Sequence, residues 1–144
     1  MLESQFELHP LLKRDCIELL DLNLSTLLLM NDCQYPWFIL VPKRADIDDI
    51  YQLDWQDQQQ LLNESSALSE ILMQVFKGKK MNVAAIGNVC PQLHLHHIVR
   101  YEDDVAWPKP VWGFRPAIAY SIEQLTELKA KLLPALKLVL KREK

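Results

Sequence analysis

Asp54 divides this chain into two hydrophobic periods, and the switch between them limits the folds open to it. Upstream, short runs lean towards strand: Cys16 to Leu22, Ser25 to Met30, and the apolar hexapeptide "WFILVP", Trp37 to Pro42. A run so continuously apolar predicts a central strand covered on at least one face. The "NDCQYP" before it reads as a turn, since Asn, Asp and Pro favour turns for different backbone reasons. From Asp54 the spacing becomes helical. Leu61, Leu62, Ser65, Leu68, Leu72, Val75 and Phe76 form one stripe, with Asp54 the expected N-cap and Gly78 the expected stop. Strand pattern resumes at Met81 to Ile86, a turn follows at Gly87-Asn88, and Gln92 to Arg100 forms the next strand. The prolines of "DDVAWPKPVWGFRP" forbid regular structure. A capping box at Ser121 and Gln124 opens a last helix, about 121–141. Its stripe runs through Ile122, Leu125, Leu128, Leu132, Leu136 and Val139, with a kink expected at Pro134. A short helix around His9 to Arg14 opens the chain. Strands in hairpin order plus two long helices predict an α+β fold, an antiparallel sheet with helices against it.

At 144 residues the chain is expected to form a single domain, 1–144, large enough for a proper core. Its net charge of -3 gives no general attraction to nucleic acid or to an anionic membrane, and no apolar run has the length of a transmembrane span. The opening "MLESQFELHP" lacks the basic and apolar regions of a signal peptide, and three unpatterned cysteines (Cys16, Cys33, Cys90) argue against a disulfide framework. A cytoplasmic protein is expected. Lys137, Lys141, Arg142 and Lys144 read as a solvated helix end. Only Gly78, Gly87 and Gly113 are glycines, which excludes the clustered glycines of a Rossmann fingerprint or a P-loop.

Three of the four histidines fall within "PQLHLHHIVR", residues 91–100. Side chains on a strand alternate, so Gln92, His94, His96 and Ile98 share one face while Leu93, Leu95, His97 and Val99 share the other. His97, among aliphatic neighbours, reads as a buried packing residue hydrogen-bonded to backbone. His94 and His96, with Gln92 beside them, are the candidate site. Two adjacent imidazoles suit metal binding, nucleophilic catalysis or general acid–base work, and each needs a polar partner that an aliphatic core does not supply.

"QLHLHHIVR", Gln92 to Arg100, resembles the motif of the histidine triad (HIT) family, His-φ-His-φ-His-φφ, often followed by arginine. The likeness extends to "LLLMNDCQYPWFILVPKR", to the long helix before the motif, to "MNVAAIGNV" and to "AWPKPVWG", and covers about residues 15–113. It implies an antiparallel sheet with a long central helix and a C-terminal helix. It also implies nucleotide hydrolysis or nucleotidyl transfer at the α-phosphate, without metal or other cofactor. His94 would be the nucleophile, forming a nucleotidyl-histidine intermediate, a role that suits an imidazole neutral near pH 7. His96 would orient it and contact the phosphate. Gln92 stands where the family's first histidine would be; it keeps a donor and an acceptor but cannot relay a proton. His97 replaces an aliphatic residue. Asn31 matches a sugar-binding position and Asn88 one near the phosphates, although either also suits a turn. Arg100 could meet a phosphate or pair with Glu102 or Asp103. Trp107 and Trp112 could cap a base, meet a second subunit, or simply anchor the packing.

Two other readings stay open at this point. A degenerate triad would leave a non-catalytic nucleotide-binding or dimeric protein. A metal site is the other: His94 and His96, with Glu102, Gly87 and Cys90, loosely echo a cupin or zinc set, although long helices and scarce glycines suit a cupin poorly. The family resemblance further implies a homodimer joined sheet edge to sheet edge, with a small nucleotide as the partner rather than nucleic acid or membrane.

Overall fold

A computed structural model describes residues 5–142, with side chains through Leu138. The elements are α1 (Pro10–Asp15), β1 (Cys16–Asp21), β2 (Ser25–Met30), β3 (Trp37–Pro42), α2 (Trp55–Phe76), β4 (Lys80–Ala84), β5 (Leu95–Arg100) and α3 (Ile122–Arg142). They form the expected α+β arrangement. One five-stranded sheet runs in the order β1-β2-β3-β5-β4, with every neighbouring pair antiparallel. The hexapeptide of β3 is central and buried at every position, because both faces of the sheet are covered.

Alternation along the strands sorts the core into two layers. On one face Leu27, Leu29, Phe38, Leu40, Leu95 and Val99 meet Leu61, Leu68 and Leu72 of α2 and Leu128, Leu132 and Leu136 of α3. On the other, Leu28, Trp37, Ile39, Val41 and Ile98 lie under Leu8 and Leu12 of the N-terminal segment and under Ala106 and Val111 of the loop after β5. Each layer closes one side of the histidine strand. No described helix is long and apolar enough to cross a membrane.

The helix ends follow local chemistry. Asp54 caps α2 through a bond from the Asp57 amide (2.8 Å), and Ser121 and Gln124 form the reciprocal box of α3 (3.1 and 2.8 Å). The stop of α2 differs from expectation: Lys77, not Gly78, takes the left-handed conformation (φ 53°). Gly78 is needed for close approach instead, since a Cβ there would collide with the Val99 side chain. Leu62 leaves the stripe and is 60 % exposed, whereas Glu64 and Ile71 are buried. Glu64 accepts from the Leu24 and Ser25 amides (2.8 and 3.1 Å), tying the β1–β2 turn to α2, which hydrophobic spacing does not reveal. The helix α3 continues through Pro134, so proline does not end it. The Val139 side chain of its stripe, and the basic ones beyond it, lie outside the described side chains. Pairing of β5 begins at Leu95 rather than Gln92, and β4 ends at Ala84 rather than Ile86. His9 caps α1 instead of opening it, its ring accepting from the Leu11 amide at 3.1 Å.

His97 lies on the helix-covered face, as alternation requires. It is fully buried, with Nδ1 3.0 Å from the Leu95 carbonyl and Nε2 2.7 Å from Ser65 Oγ of α2. The carbonyl only accepts, so Nδ1 carries the hydrogen and Nε2 takes the serine proton. Burial pushes its pKa down from 6.5 to about 4. A lowered imidazole pKa means that the unfolded chain binds a proton the folded chain refuses, so stability is full above pH 6.5 and falls towards pH 4. Replacing His97 by Leu is expected to remove up to one proton from that acid slope, ~1.4 kcal/mol per pH unit. Urea melts across this range measure it; equal slopes in both proteins would contradict the assignment.

Candidate functional site

The other face of the same strand carries His96, with His94 just before the strand begins, both buried but bordering a cavity of about 390 Å³. Its walls come from four parts of the chain: Leu11, Leu12, Arg14 and Asp15 of α1, Met30 and Trp37, the loop Ile86 to Cys90, and Trp112. The two imidazoles meet edge to face with centroids 4.8 Å apart. Trp37 and Trp112 flank His96 at 5.7 and 5.2 Å.

Hydrogen bonding sets the chemistry of each ring. His94 Nδ1 lies 2.7 Å from the Gln92 carbonyl oxygen. That oxygen only accepts, so Nδ1 bears the hydrogen, and neutral His94 has its lone pair at Nε2. His96 is the reverse. Its Nδ1 receives the Trp37 indole N–H at 2.9 Å, and indole nitrogen is a donor only. His96 is therefore neutral with its hydrogen at Nε2. Burial, reinforced by His94 and His97, pushes its pKa from 6.5 to about 3, in keeping with that partner. An imidazole lone pair and a hydrogen-bond donor thus stand side by side at one cavity.

The remaining candidates divide. Asn88 borders the cavity, next to Gly87 at φ +66°. Asn31 borders an adjoining hollow of about 290 Å³ that shares Arg14, Asp15 and Met30 with it. Its Oδ1 accepts from the Tyr120 amide at 2.9 Å, so it also joins β2 to the approach of α3.

Gln92, Arg100 and Trp107 are not among the lining residues. The Gln92 side chain turns to the N-terminal segment, accepting from the His9 amide (2.9 Å) and donating to the Glu7 carbonyl (2.8 Å). Its main-chain oxygen holds His94 while its amide anchors the segment that leads into α1.

Arg100 pairs with Asp104, not with Glu102 or Asp103, because the turn after β5 brings that carboxylate back over the guanidinium (2.8 and 3.0 Å). Nη1 donates to Asn82 Oδ1 (2.9 Å), and Nη2, already on Asp104, also donates to the Lys109 carbonyl (2.8 Å). Glu102 instead meets Lys79. Burial opposes the Asp104 charge, but the bonds from Arg100, Tyr101 and Trp107 hold its pKa below the ordinary value. Trp107 stacks on Arg100 at 5.6 Å. This buried node secures the loop that delivers Trp112, so Arg100 acts on the cavity through the chain rather than by contact.

Trp37 is the site residue that sequence patterning missed. It reads as one more apolar member of β3, although a buried indole that must satisfy an N–H was the available signal. Among the described residues no group of three or more His, Cys, Asp or Glu is placed to hold a metal ion. The lining is largely apolar, and its one described cation, Arg14, is already gripped by Asp15 (2.8 and 3.0 Å).

The comparisons with known proteins agree with this geometry. The model of the HIT domain matches residues 13–103. A histidine triad protein from Marinobacter aquaeolei is 54 % identical with a TM-score of 0.91, over 93 % of this chain and 98 % of that one. One from Bradyrhizobium japonicum is 41 % identical with a TM-score of 0.90, over 92 % of this chain and 98 % of that one. A third, from Sinorhizobium meliloti, is 39 % identical with a TM-score of 0.88, over 90 % and 96 %. No curated protein matches the chain. The domain match, the near-complete superposition on these structures and the paired imidazoles together make this chain a member of the histidine triad family.

Proposed function

We propose that this protein hydrolyses, or transfers a nucleotidyl group from, a nucleoside 5'-phosphate derivative, with His94 as the nucleophile. The observation that carries the reading is the orientation of His94, whose Nδ1 is held by the Gln92 carbonyl at 2.7 Å so that Nε2 is free to react. Nε2 attacks the α-phosphorus, the bond to the leaving group breaks, and that group departs with the electron pair. A nucleotidyl-His94 intermediate results. Water then attacks phosphorus and releases a proton to solvent, the phosphorus–nitrogen bond breaks with its electron pair returning to Nε2, and the nucleoside monophosphate leaves with neutral His94 restored. His96 Nε2–H steadies a phosphoryl oxygen, as a donor fixed before charge develops. Asn31, Asn88 and Trp112 offer polar and stacking contacts for the sugar, phosphate and base.

Gln92 supports a second reading. Where the family resemblance implies the first histidine, this chain has a side chain that cannot titrate and that is engaged with Glu7 and His9. A protein that binds nucleotide without turning it over fits that feature. One panel separates the readings: an adenosine phosphoramidate, a dinucleoside polyphosphate and an adenylyl sulfate, offered to wild type and His94→Ala with chelator present. The catalytic reading expects AMP from wild type whatever the chelator, and a loss on the order of 10³-fold or more in the variant. No AMP from either protein, with equal nucleotide binding by calorimetry, would establish the binding protein instead.

Sheet topology supports a homodimer. The strands β1 and β4 are the two edges, and β1 carries a register irregularity between Glu18 and Leu20 that spoils straight pairing. The regular edge is β4, where Val83 is 47 % exposed. Joining β4 to its copy would bury that edge. Wild type is expected to sediment at twice the chain mass at micromolar concentration. Val83→Lys, placing like charges near the two-fold axis, should shift it towards the chain mass. A monomeric wild type would remove the dimer.

A further inference from the structure

The bond between Trp37 and His96 constrains the site more than its two members suggest. An indole N–H has no acceptor capacity and no alternative tautomer, so its partner must present a lone pair. Were His96 protonated at Nδ1, two N–H groups would face each other across 2.9 Å in a buried setting. The indole has little freedom to turn away. Tyr35 stands edge-on to it at 6.2 Å and Trp112 at 5.7 Å, and its own strand is buried throughout.

The surroundings offer no charge that would favour an imidazolium. His94 and His97 both oppose one. Across the cavity Arg14 and Asp15 are paired with each other, and Cys90 is buried with its thiol pKa raised, chiefly by that burial. The strand neighbours of His96, Ile39 in β3 and Ala84 in β4, are uncharged.

We propose that Trp37 is a positioning residue that keeps His96 neutral with its hydrogen at Nε2, so that His96 serves as a fixed hydrogen-bond donor and not as an acid or base. The kinetic part of this inference rests on the hydrolase reading above; the tautomer itself does not. Under this arrangement His96 keeps its Nε2 hydrogen through a turnover and contributes no ionisation to the pH dependence of kcat/KM. A leaving group receives no proton from His96, because giving up the Nε2 hydrogen would leave an imidazolate in an apolar wall.

The test uses long-range ¹H–¹⁵N spectra of the histidine rings between pH 5 and 8, on wild type, Trp37→Phe and Trp37→Gln. Phenylalanine keeps an aromatic ring but has no donor. Glutamine places an amide nitrogen the same number of bonds from the backbone as the indole nitrogen. Wild-type His96 should show the Nε2–H tautomer unchanged across the range. In Trp37→Phe the tautomer should become mixed and the ring should begin to titrate, and Trp37→Gln should restore the wild-type pattern.

In parallel, kcat/KM should fall between about 10- and 100-fold in Trp37→Phe, with an ionisation absent from wild type appearing on its acid limb, and should recover in Trp37→Gln. A wild-type His96 that is Nδ1-protonated or charged within this range overturns the inference, even if no variant folds. So does a Trp37→Phe spectrum identical to wild type. An altered tautomer with an unchanged pH–rate profile overturns the catalytic role alone. Absence of turnover in wild type removes the hydrolase reading and leaves the ring spectra to decide the tautomer.

Discussion

A strand buried on both faces cannot leave an imidazole without a partner, and that requirement organises this protein. The strand β5 is buried at every position, and the face opposite the helices is closed by the N-terminal segment and the loop after β5. Each histidine of its stretch meets a group of one-way hydrogen-bonding character: the Gln92 carbonyl for His94, the Trp37 indole for His96, the Leu95 carbonyl for His97. Because these partners cannot exchange donor and acceptor roles, they fix where every ring hydrogen lies. The difference between a ring with its lone pair at Nε2 and a ring with its hydrogen there, two residues apart, arises from this and not from the residue type.

The cavity is assembled by parts that have no chemistry of their own. Gln92 ties the segment before α1 to the histidine stretch through its amide, while its backbone oxygen holds His94. On the other side, Arg100 is enclosed by Asp104, Asn82 and the Lys109 carbonyl, and this fastens an irregular loop well enough for Trp112 to stand against His96. An ion pair this buried would contribute little as an isolated bridge after desolvation, but here the guanidinium satisfies several groups of a loop that has no ladder of its own. The ordering of that loop is what it supplies.

The elements that depend on period were legible in the sequence. The apolar run of β3, the capped stripe of α2 and the alternation that separates His97 from His94 and His96 all follow from side-chain spacing, and the structure carries them. What escaped depends on direction across the fold. Leu62 satisfies the spacing yet faces solvent, and Glu64 violates it yet is buried, because the β1–β2 turn brings two unpaired amides over that point of α2. Lys77 takes the left-handed turn because Gly78 is needed where a Cβ would strike Val99, a contact 21 positions away in the chain. Trp37 was hidden by its own hydrophobicity. The side chains of Gln92, Arg100 and Trp107 look in sequence like parts of the site, and their long-range partners put them at its supports.

The proposed reaction passes through a covalent bond between His94 and the α-phosphorus. The most direct measurement is mass spectrometry of protein quenched in alkaline denaturant within the first turnovers on an adenylyl substrate, followed by peptide mapping without an acid step. The account predicts one added nucleotidyl group on the peptide that contains His94, labile to mild acid as a phosphorus–nitrogen bond is, and absent from His94→Ala. Product formation by wild type with no adduct on that peptide, or an equal adduct in the variant, would contradict it.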